Sequence, residues 1–280
     1  MLISSEVVYQ EVYKAVQAMN VSLPVDVAGR LKAAQQQAEG PAQAVLGQIN
    51  ENLLIAAREG IPFCQDTGMV WVHVSLGEEV QIRGLKETIS RAVADAYREG
   101  YFRSSVVEDP LRERKNTGTN LPAVFHFDIV PGRTLEIYIL AKGFGSENCS
   151  RVFMLKPTQG REAVIDSVCA VMKEARGVPC PPVVLGVGIG GTFDYAALLS
   201  KRALTRALDH PHPCPYYAQL ESDLLEAVNA LGIGPGGLGG GCTALAVKVE
   251  SFSTHIAGLP VAVTVNCWAD RRAKVLLSEI

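Results

Sequence analysis

No stretch of the sequence reaches the roughly 18 consecutive apolar residues needed to span a bilayer. Nor does Met1-Leu2-Ile3-Ser4-Ser5-Glu6-Val7 supply the basic segment and apolar core of a secretion signal. These two absences predict a soluble, cytoplasmic protein. Positive charge is also not in excess: 26 Lys and Arg face 29 Asp and Glu, for a formal net charge of -3 and a pI near 6.0. That balance excludes a global field drawing in nucleic acid or anionic membrane, so an anionic substrate must be met by a few local cations. No Cys-x-x-Cys pair occurs among the seven cysteines, Cys64, Cys149, Cys169, Cys180, Cys214, Cys242 and Cys267. An odd number without a secretion signal points to reduced thiols or metal thiolates rather than disulfides. Internal repeats and low-complexity linkers are absent too, and 280 residues suffice for one large domain or two lobes sharing an interface.

What is present first is helical periodicity. Val7, Val8, Val12 and Val16 recur at helix spacing, and Val45, Leu46, Ile49, Leu53, Leu54 and Ala57 continue the pattern until Gly60. Two or three helices are expected there. Pro62 breaks the pattern, Met69 to Leu76 alternates like a strand, and Leu85 to Tyr101 reads as an amphipathic helix. Residues 103 to 120 form a long polar loop of the kind that is often functional. Ala123 to Val130 and Thr134 to Ala141 flank Pro131-Gly132-Arg133 as the arms of a hairpin would. Helices are expected over Gly160–Lys173, Phe193–Leu208 and Tyr216–Leu231, with strands at Pro182–Val187, Thr243–Val249 and Pro260–Val265. The alternation predicts an α/β protein, a helical region over about 1–100 followed by a mixed α/β core over about 101–280.

Several clusters carry chemically useful groups. Cys64-Gln65-Asp66-Thr67-Gly68 places a thiol, an amide, a carboxylate and a hydroxyl on a turn between a helix and a strand, although a buried cysteine beside a turn-forming Asp-Thr-Gly has the same letters. Cys180, between prolines, and Cys267, after an apolar run, both sit at strand ends. Cys169, Cys214 and Cys242 read as structural. Gly186-Val187-Gly188-Ile189-Gly190-Gly191 matches the dinucleotide-binding G-x-G-x-x-G pattern and makes a nucleotide-dependent oxidoreductase the main rival. Against it, Asp209 follows a helical pattern where a ribose-binding acid should end a second strand. The glycines of 236–241 read either as a flexible loop or as a point of close backbone approach. His255 by itself reads as a packed or surface histidine.

Five motifs occur in a fixed order: Cys64-Gln65-Asp66-Thr67-Gly68, Asn116-Thr117-Gly118-Thr119-Asn120-Leu121-Pro122-Ala123, Ala141-Lys142-Gly143 with Gly145-Ser146, Cys180-Pro181-Pro182, and Cys267-Trp268-Ala269-Asp270-Arg271. In that order the chain resembles the class I fumarate hydratases and tartrate dehydratase α-chains. The resemblance implies a fold like the N-terminal domain of class I fumarases and a [4Fe-4S] cluster held by Cys64, Cys180 and Cys267, with one iron free of cysteine. It implies substrate contacts from Gln65, Arg103 and Gly145, and catalytic roles for Asp66 and His255. Cys149 departs from the family pattern and is not expected to be a ligand. One-chain relatives continue past the third cysteine into a further domain, so a separate β-subunit is expected to complete the site, with an α–α pair inside a heterotetramer. The implied reaction is the reversible hydration of fumarate to L-malate, with L-tartrate dehydration as the alternative. No nucleic-acid or membrane partner is expected.

Overall fold

The computed structural model describes residues 2–278. In chain order it contains helices α1 (Ser5–Val21), α2 (Val25–Gln37) and α3 (Gly40–Glu59), strand β1 (Met69–Gly77), helix α4 (Leu85–Glu99), and strands β2 (Val124–Val130) and β3 (Leu135–Lys142). Next come the short α5 (Phe144–Glu147), β4 (Arg151–Leu155), α6 (Gly160–Ala175), β5 (Val183–Gly191), α7 (Phe193–Ala203) and α8 (Pro215–Asn229). Strands β6 (Ala244–Thr254), β7 (Leu259–Asn266) and β8 (Arg272–Leu277) close the chain. This is the expected α/β class, with helices leading. Among the described residues no helix is long and apolar enough to cross a membrane.

The elements group into two units, each discontinuous in sequence. One takes the chain up to Pro24, Asn52–Phe144 and the segment from Arg271; the other takes Val25–Glu51 and Gly145–Asp270. Residue 100, where the sequence changes from helical to mixed character, lies inside the first unit, because β1 shares a sheet with β2 and β3.

In the first unit, α1 starts at Ser4, whose hydroxyl accepts the Glu6 N–H at 3.2 Å, an N-cap that satisfies one otherwise unpaired donor. Val8, Val12, Val16 and Met19 form its buried stripe, and Ile89, Ala92, Val93, Ala96 and Tyr97 form that of α4. Both stripes pack on Val70, Val72 and Val74 of β1 and on Leu135, Ile137 and Ile139 of β3. Each buried Val, Leu, Ile or Met among them contributes about 1.5–3 kcal/mol. The sheet order is β2-β1-β3-β8. The expected β2–β3 hairpin is therefore not formed: β1 lies between the two strands, parallel to β2 and antiparallel to β3. The short connection passes over the end of β1, which only a glycine permits. A Cβ on Gly77 would lie 2.5 Å from the Gly132 carbonyl oxygen and 2.8 Å from that of Thr134.

In the second unit the sheet order is β4-β7-β5-β6. Val183, Leu185, Val187 and Ile189 of β5 pack with Val164, Val168 and Met172 of α6 and Leu220, Leu224 and Val228 of α8. The opposite face of β5 carries Gly186 and Gly188, where a Cβ would stand 2.0 Å from the Ser200 carbonyl oxygen and 2.1 Å from that of Ala196. Helix α7 thus rests directly on strand backbone. This corrects the dinucleotide alternative: Gly186 to Ile189 pair with β6 on one side and β7 on the other, so their amides are spent in the sheet instead of cradling a pyrophosphate at a turn. Two more expectations are adjusted. Helix α7 stops at Ala203, short of Leu208. The glycine-rich 236–241 segment does approach backbone closely, but its own: a Cβ on Gly237 would lie 2.6 Å from Gly177 Cα.

Candidate functional site

The first unit builds the turn between α3 and β1 from several independent ties. The Phe63 N–H donates to Asn20 O at 3.2 Å, and Asn52 Nδ2 donates to Phe63 O at 2.8 Å. Cys64 follows, partly buried, with its thiol donating to Gln65 Oε1 at 3.6 Å. Asp66 Oδ1 accepts the Gly68 N–H at 3.0 Å, an Asx-type turn, and its Oδ2 accepts the Phe144 N–H at 3.1 Å. Gly68 has φ of +80°, and a Cβ there would meet the Ala141 and Lys142 backbone at 2.7 Å, so two of the ordered motifs are in backbone contact.

Further residues lock the turn. Tyr97 donates to Thr67 O at 2.7 Å and Gly68 O at 3.2 Å; burial pushes its phenol pKa upward, which keeps it a donor. Asn120 Nδ2 donates to Gly68 O at 3.0 Å while its Oδ1 accepts the Ser105 N–H at 2.8 Å. The Thr67 hydroxyl donates to Arg103 O at 2.9 Å. The Asn-Thr-Gly-Thr-Asn motif is therefore a brace for the Cys-Gln-Asp-Thr-Gly turn. Tyr97 carried no functional signal in the sequence beyond its helical spacing.

Asp66 and Arg103 line one cavity of about 450 Å³, together with Met69, Val106, Val107, Phe144 and a second arginine, Arg114. Arg271 stands behind the turn. It is 1% exposed; its Nε donates to Ala141 O at 3.1 Å, and its guanidinium lies 5.6 Å from the Phe63 ring centroid. Its Nη1 is buried with no hydrogen-bond partner among the described residues. A fixed positive charge in low-dielectric surroundings acts more strongly than one in water, and the sequence motif containing Arg271 did not disclose its burial.

The second unit carries Cys180 and Cys267 at one end of its sheet, where β5 begins and β7 ends. The Trp268 N–H donates to Cys180 O at 3.4 Å, joining the two cysteine segments. Cys180 has φ of +53°, a left-handed conformation rare for a residue with a Cβ, and it is exposed. Gly145 opens this unit; a Cβ there would meet nothing closer than Val178 O at 3.8 Å, so the chain's own packing does not require a glycine. Cys149 is buried, with its thiol donating to Gly145 O at 3.4 Å. Burial raises the Cys169 thiol, and pushes Cys242 up to about 11. Both suit inert structural thiols.

His255 is separated from the cysteines of its own unit. It sits exposed in the β6–β7 turn, with its Nδ1 accepting the Ala257 N–H at 3.1 Å. Cys267 follows the far end of β7, and a strand of 8 residues spans about 23 Å at a rise of about 3.3 Å per residue. The sequence places His255 shortly before Cys267; the extended strand carries the two to opposite ends of the sheet.

Residues 9–276 match the family described as fumarate hydratase (Fumerase), and the chain belongs to that family. It is 41% identical over 260 residues to a protein of Methanocaldococcus jannaschii named "Putative L(+)-tartrate dehydratase subunit alpha", covering 90% of this chain and 91% of the relative. It is 34% identical over 264 residues to the L(+)-tartrate dehydratase subunit alpha of Escherichia coli O157:H7, covering 92% and 87%. The protein of that name from strain K12 is 33% identical over 266 residues, with the same coverage.

Proposed function

We propose that this chain is the α-subunit of a hydro-lyase that reversibly hydrates fumarate to L-malate together with a separate β-subunit. The observation that carries the reading is the cavity that brings Asp66 and Arg103 together beside the Cys64 turn, in a chain of the fumarate hydratase family.

The cysteines suit the cofactor that this reading needs. Cys64, Cys180 and Cys267 would hold a [4Fe-4S] cluster; none of the three is in a disulfide, and the left-handed backbone at Cys180 accompanies an exposed residue. Among the described residues no three His, Cys, Asp or Glu side chains are grouped as ligands of a single metal ion. When bound, such a cluster supplies a Lewis acid for the substrate's hydroxyl and carboxylate.

The remaining chemistry belongs to the chain. Asp66 holds or releases the proton of the malate hydroxyl, its carboxylate fixed in place by two backbone N–H groups. Arg103 orients a substrate carboxylate, for which a planar guanidinium offers paired donors. Gln65, exposed beside Cys64, adds amide donors, and Gly145 leaves room for a ligand that any side chain would narrow. His255 enters only through assembly: at an exposed tip, it is available to a second α-chain in an α–α pair of a heterotetramer.

A second reading, dehydration of L-tartrate, is favoured by the names of the relatives at 33–41% identity. Anaerobic purification with and without a co-expressed β-subunit, with iron, sulfide and turnover of fumarate, malate and tartrate measured together, tests both. Cluster on the α-chain with fumarate hydration only in the pair supports the first reading, and selective tartrate turnover replaces it with the second. Absence of iron under strict anaerobiosis refutes both.

A further inference from the structure

Arg271 is costly to the folded chain. Its side chain is 1% exposed, and among the described residues Nη1 has no hydrogen-bond partner and the guanidinium no ion pair. A buried charge without a counter-ion is strongly unfavourable, and an apolar side chain of similar length would fill the same space without that cost. Stability alone therefore gives no reason for an arginine here.

What the guanidinium touches is the reactive turn and its support. Nε donates to Ala141 O at 3.1 Å, and the Ala141 N–H donates back to Arg271 O at 3.1 Å. The guanidinium lies 5.6 Å from the ring centroid of Phe63, the residue before Cys64. A Cβ on Gly143 would stand 2.9 Å from Asp66 Oδ2 and 3.8 Å from Arg271 Nη2. Carboxylate and guanidinium thus flank one point, and the missing side chain of Gly143 leaves the space between them open. Asp66 Oδ2 accepts the Phe144 N–H from the same backbone at 3.1 Å. Arg271 accordingly ties the start of the turn to the backbone of residues 141–144 that orients Asp66. All of these residues belong to the first unit.

We infer that Arg271 is a positioning residue for Asp66, fixing the carboxylate in its reacting orientation through the 141–144 backbone and by attraction across the gap at Gly143. The inference rests on the hydro-lyase reading and gives the arginine of the fifth motif a part in it. Displacing a reacting group by about 1 Å can cost about 100-fold in rate, so a rigid buried mount has a use that stability does not give it.

The test is a double-mutant cycle in the active enzyme with its β-subunit, with rates referred to bound iron. Arg271→Met keeps an unbranched side chain and removes the charge and its donors. It is expected to lower kcat about 10–100-fold and to change KM less than about threefold, because orientation acts on the transition state and not on uniform binding. Combined with Asp66→Asn, the same substitution should lower kcat less than about twofold further, since the group it positions has lost its role. Arg271→Lys, which keeps the charge without the planar fork, should fall between Arg271→Met and the parent. The cluster-free Arg271→Met chain should melt within about 2 °C of the parent or above it, loss of the bond to Ala141 O being offset by removal of the unpaired charge. A lower melting temperature with an unchanged rate per iron would mean a merely structural arginine and overturns the inference. Equal losses of kcat with and without Asp66→Asn overturn it too, as does a raised KM at unchanged kcat. If Arg271→Met is not recovered folded, Arg271→Lys carries the cycle, and additive losses there overturn the positioning role. Failure of the parent enzyme to turn over fumarate or tartrate instead removes the hydro-lyase reading itself.

Discussion

Replacing Asp66 by asparagine separates its structural work from its chemistry. The carboxylate has two acceptor oxygens, and both are used: one takes the Gly68 N–H at 3.0 Å and the other the Phe144 N–H at 3.1 Å. A side-chain amide has one acceptor oxygen, so whichever way it turns in Asp66→Asn, its NH₂ faces one of these N–H donors. One charge-assisted bond, about 1.5–3 kcal/mol, is lost and the other becomes neutral. Phe144 N–H can turn to water, which recovers part of the loss, and the net destabilisation is about 1–2 kcal/mol. For a chain of this size that lowers the melting temperature by roughly 3–6 °C, measured on the cluster-free chain by circular dichroism. Turnover in the reconstituted enzyme should fall by about 10²–10⁴, the span of a general acid–base contribution, with iron content unchanged. A melting temperature within about 1 °C of the parent would refute the bonding argument, and full turnover would remove Asp66 from the mechanism.

Cys180→Ser and Cys267→Ser should each lose the iron retained by the parent under anaerobic purification, whereas Cys149→Ser and Cys242→Ser should keep it; iron and sulfide assays on the four variants check this. Gly188→Ala places a Cβ 2.1 Å from the Ala196 carbonyl oxygen and forces α7 off β5, a destabilisation of about 3 kcal/mol or more readable by urea denaturation. Lys248 is 3% exposed, and burial lowers its pKa from the usual 10.5 to about 8. Between those values the unfolded chain holds a proton that the folded chain has released, so stability rises with pH across that window. The gain is about 3 kcal/mol, and the rise should be missing from the pH–stability curve of Lys248→Met. An identical curve in parent and variant would refute the assignment.

Much of the fold was legible because it follows from local rules. The stripes Val8-Val12-Val16 and Ile89-Val93-Ala96 can be buried only by helices, and the apolar run before Gly186 reads as a strand buried on both faces. The reactive turn was legible as well, since Gly60 stops helix α3 and Asp66-Thr67-Gly68 is turn chemistry in any context. The roles given to Cys64, Cys180 and Cys267 came from resemblance, because three cysteines on separate elements have no spacing to recognise.

The remainder depended on partners distant in sequence. β2 and β3 carry the letters of a hairpin, and the insertion of β1 between them is specified by the side chains of all three strands and by Gly77 beneath the crossing. Gly186 and Gly188 match a nucleotide loop letter for letter, yet the packing of α7 makes them a seat for a helix. His255 is a near neighbour of Cys267 along the chain but stands a strand length from it in space. Arg114 carried no signal in the sequence, and the motif that contains Arg271 did not show its surroundings; one lines the cavity and the other is buried behind the turn. By itself the sequence determined much of where the chain is helical, extended or turned, because those preferences act over a few residues, while β4, β8 and the end of α7 were not read from it. Which faces meet, and which charges share a cavity, was decided by tertiary structure, because burial and electrostatic coupling depend on distance in space and not along the chain.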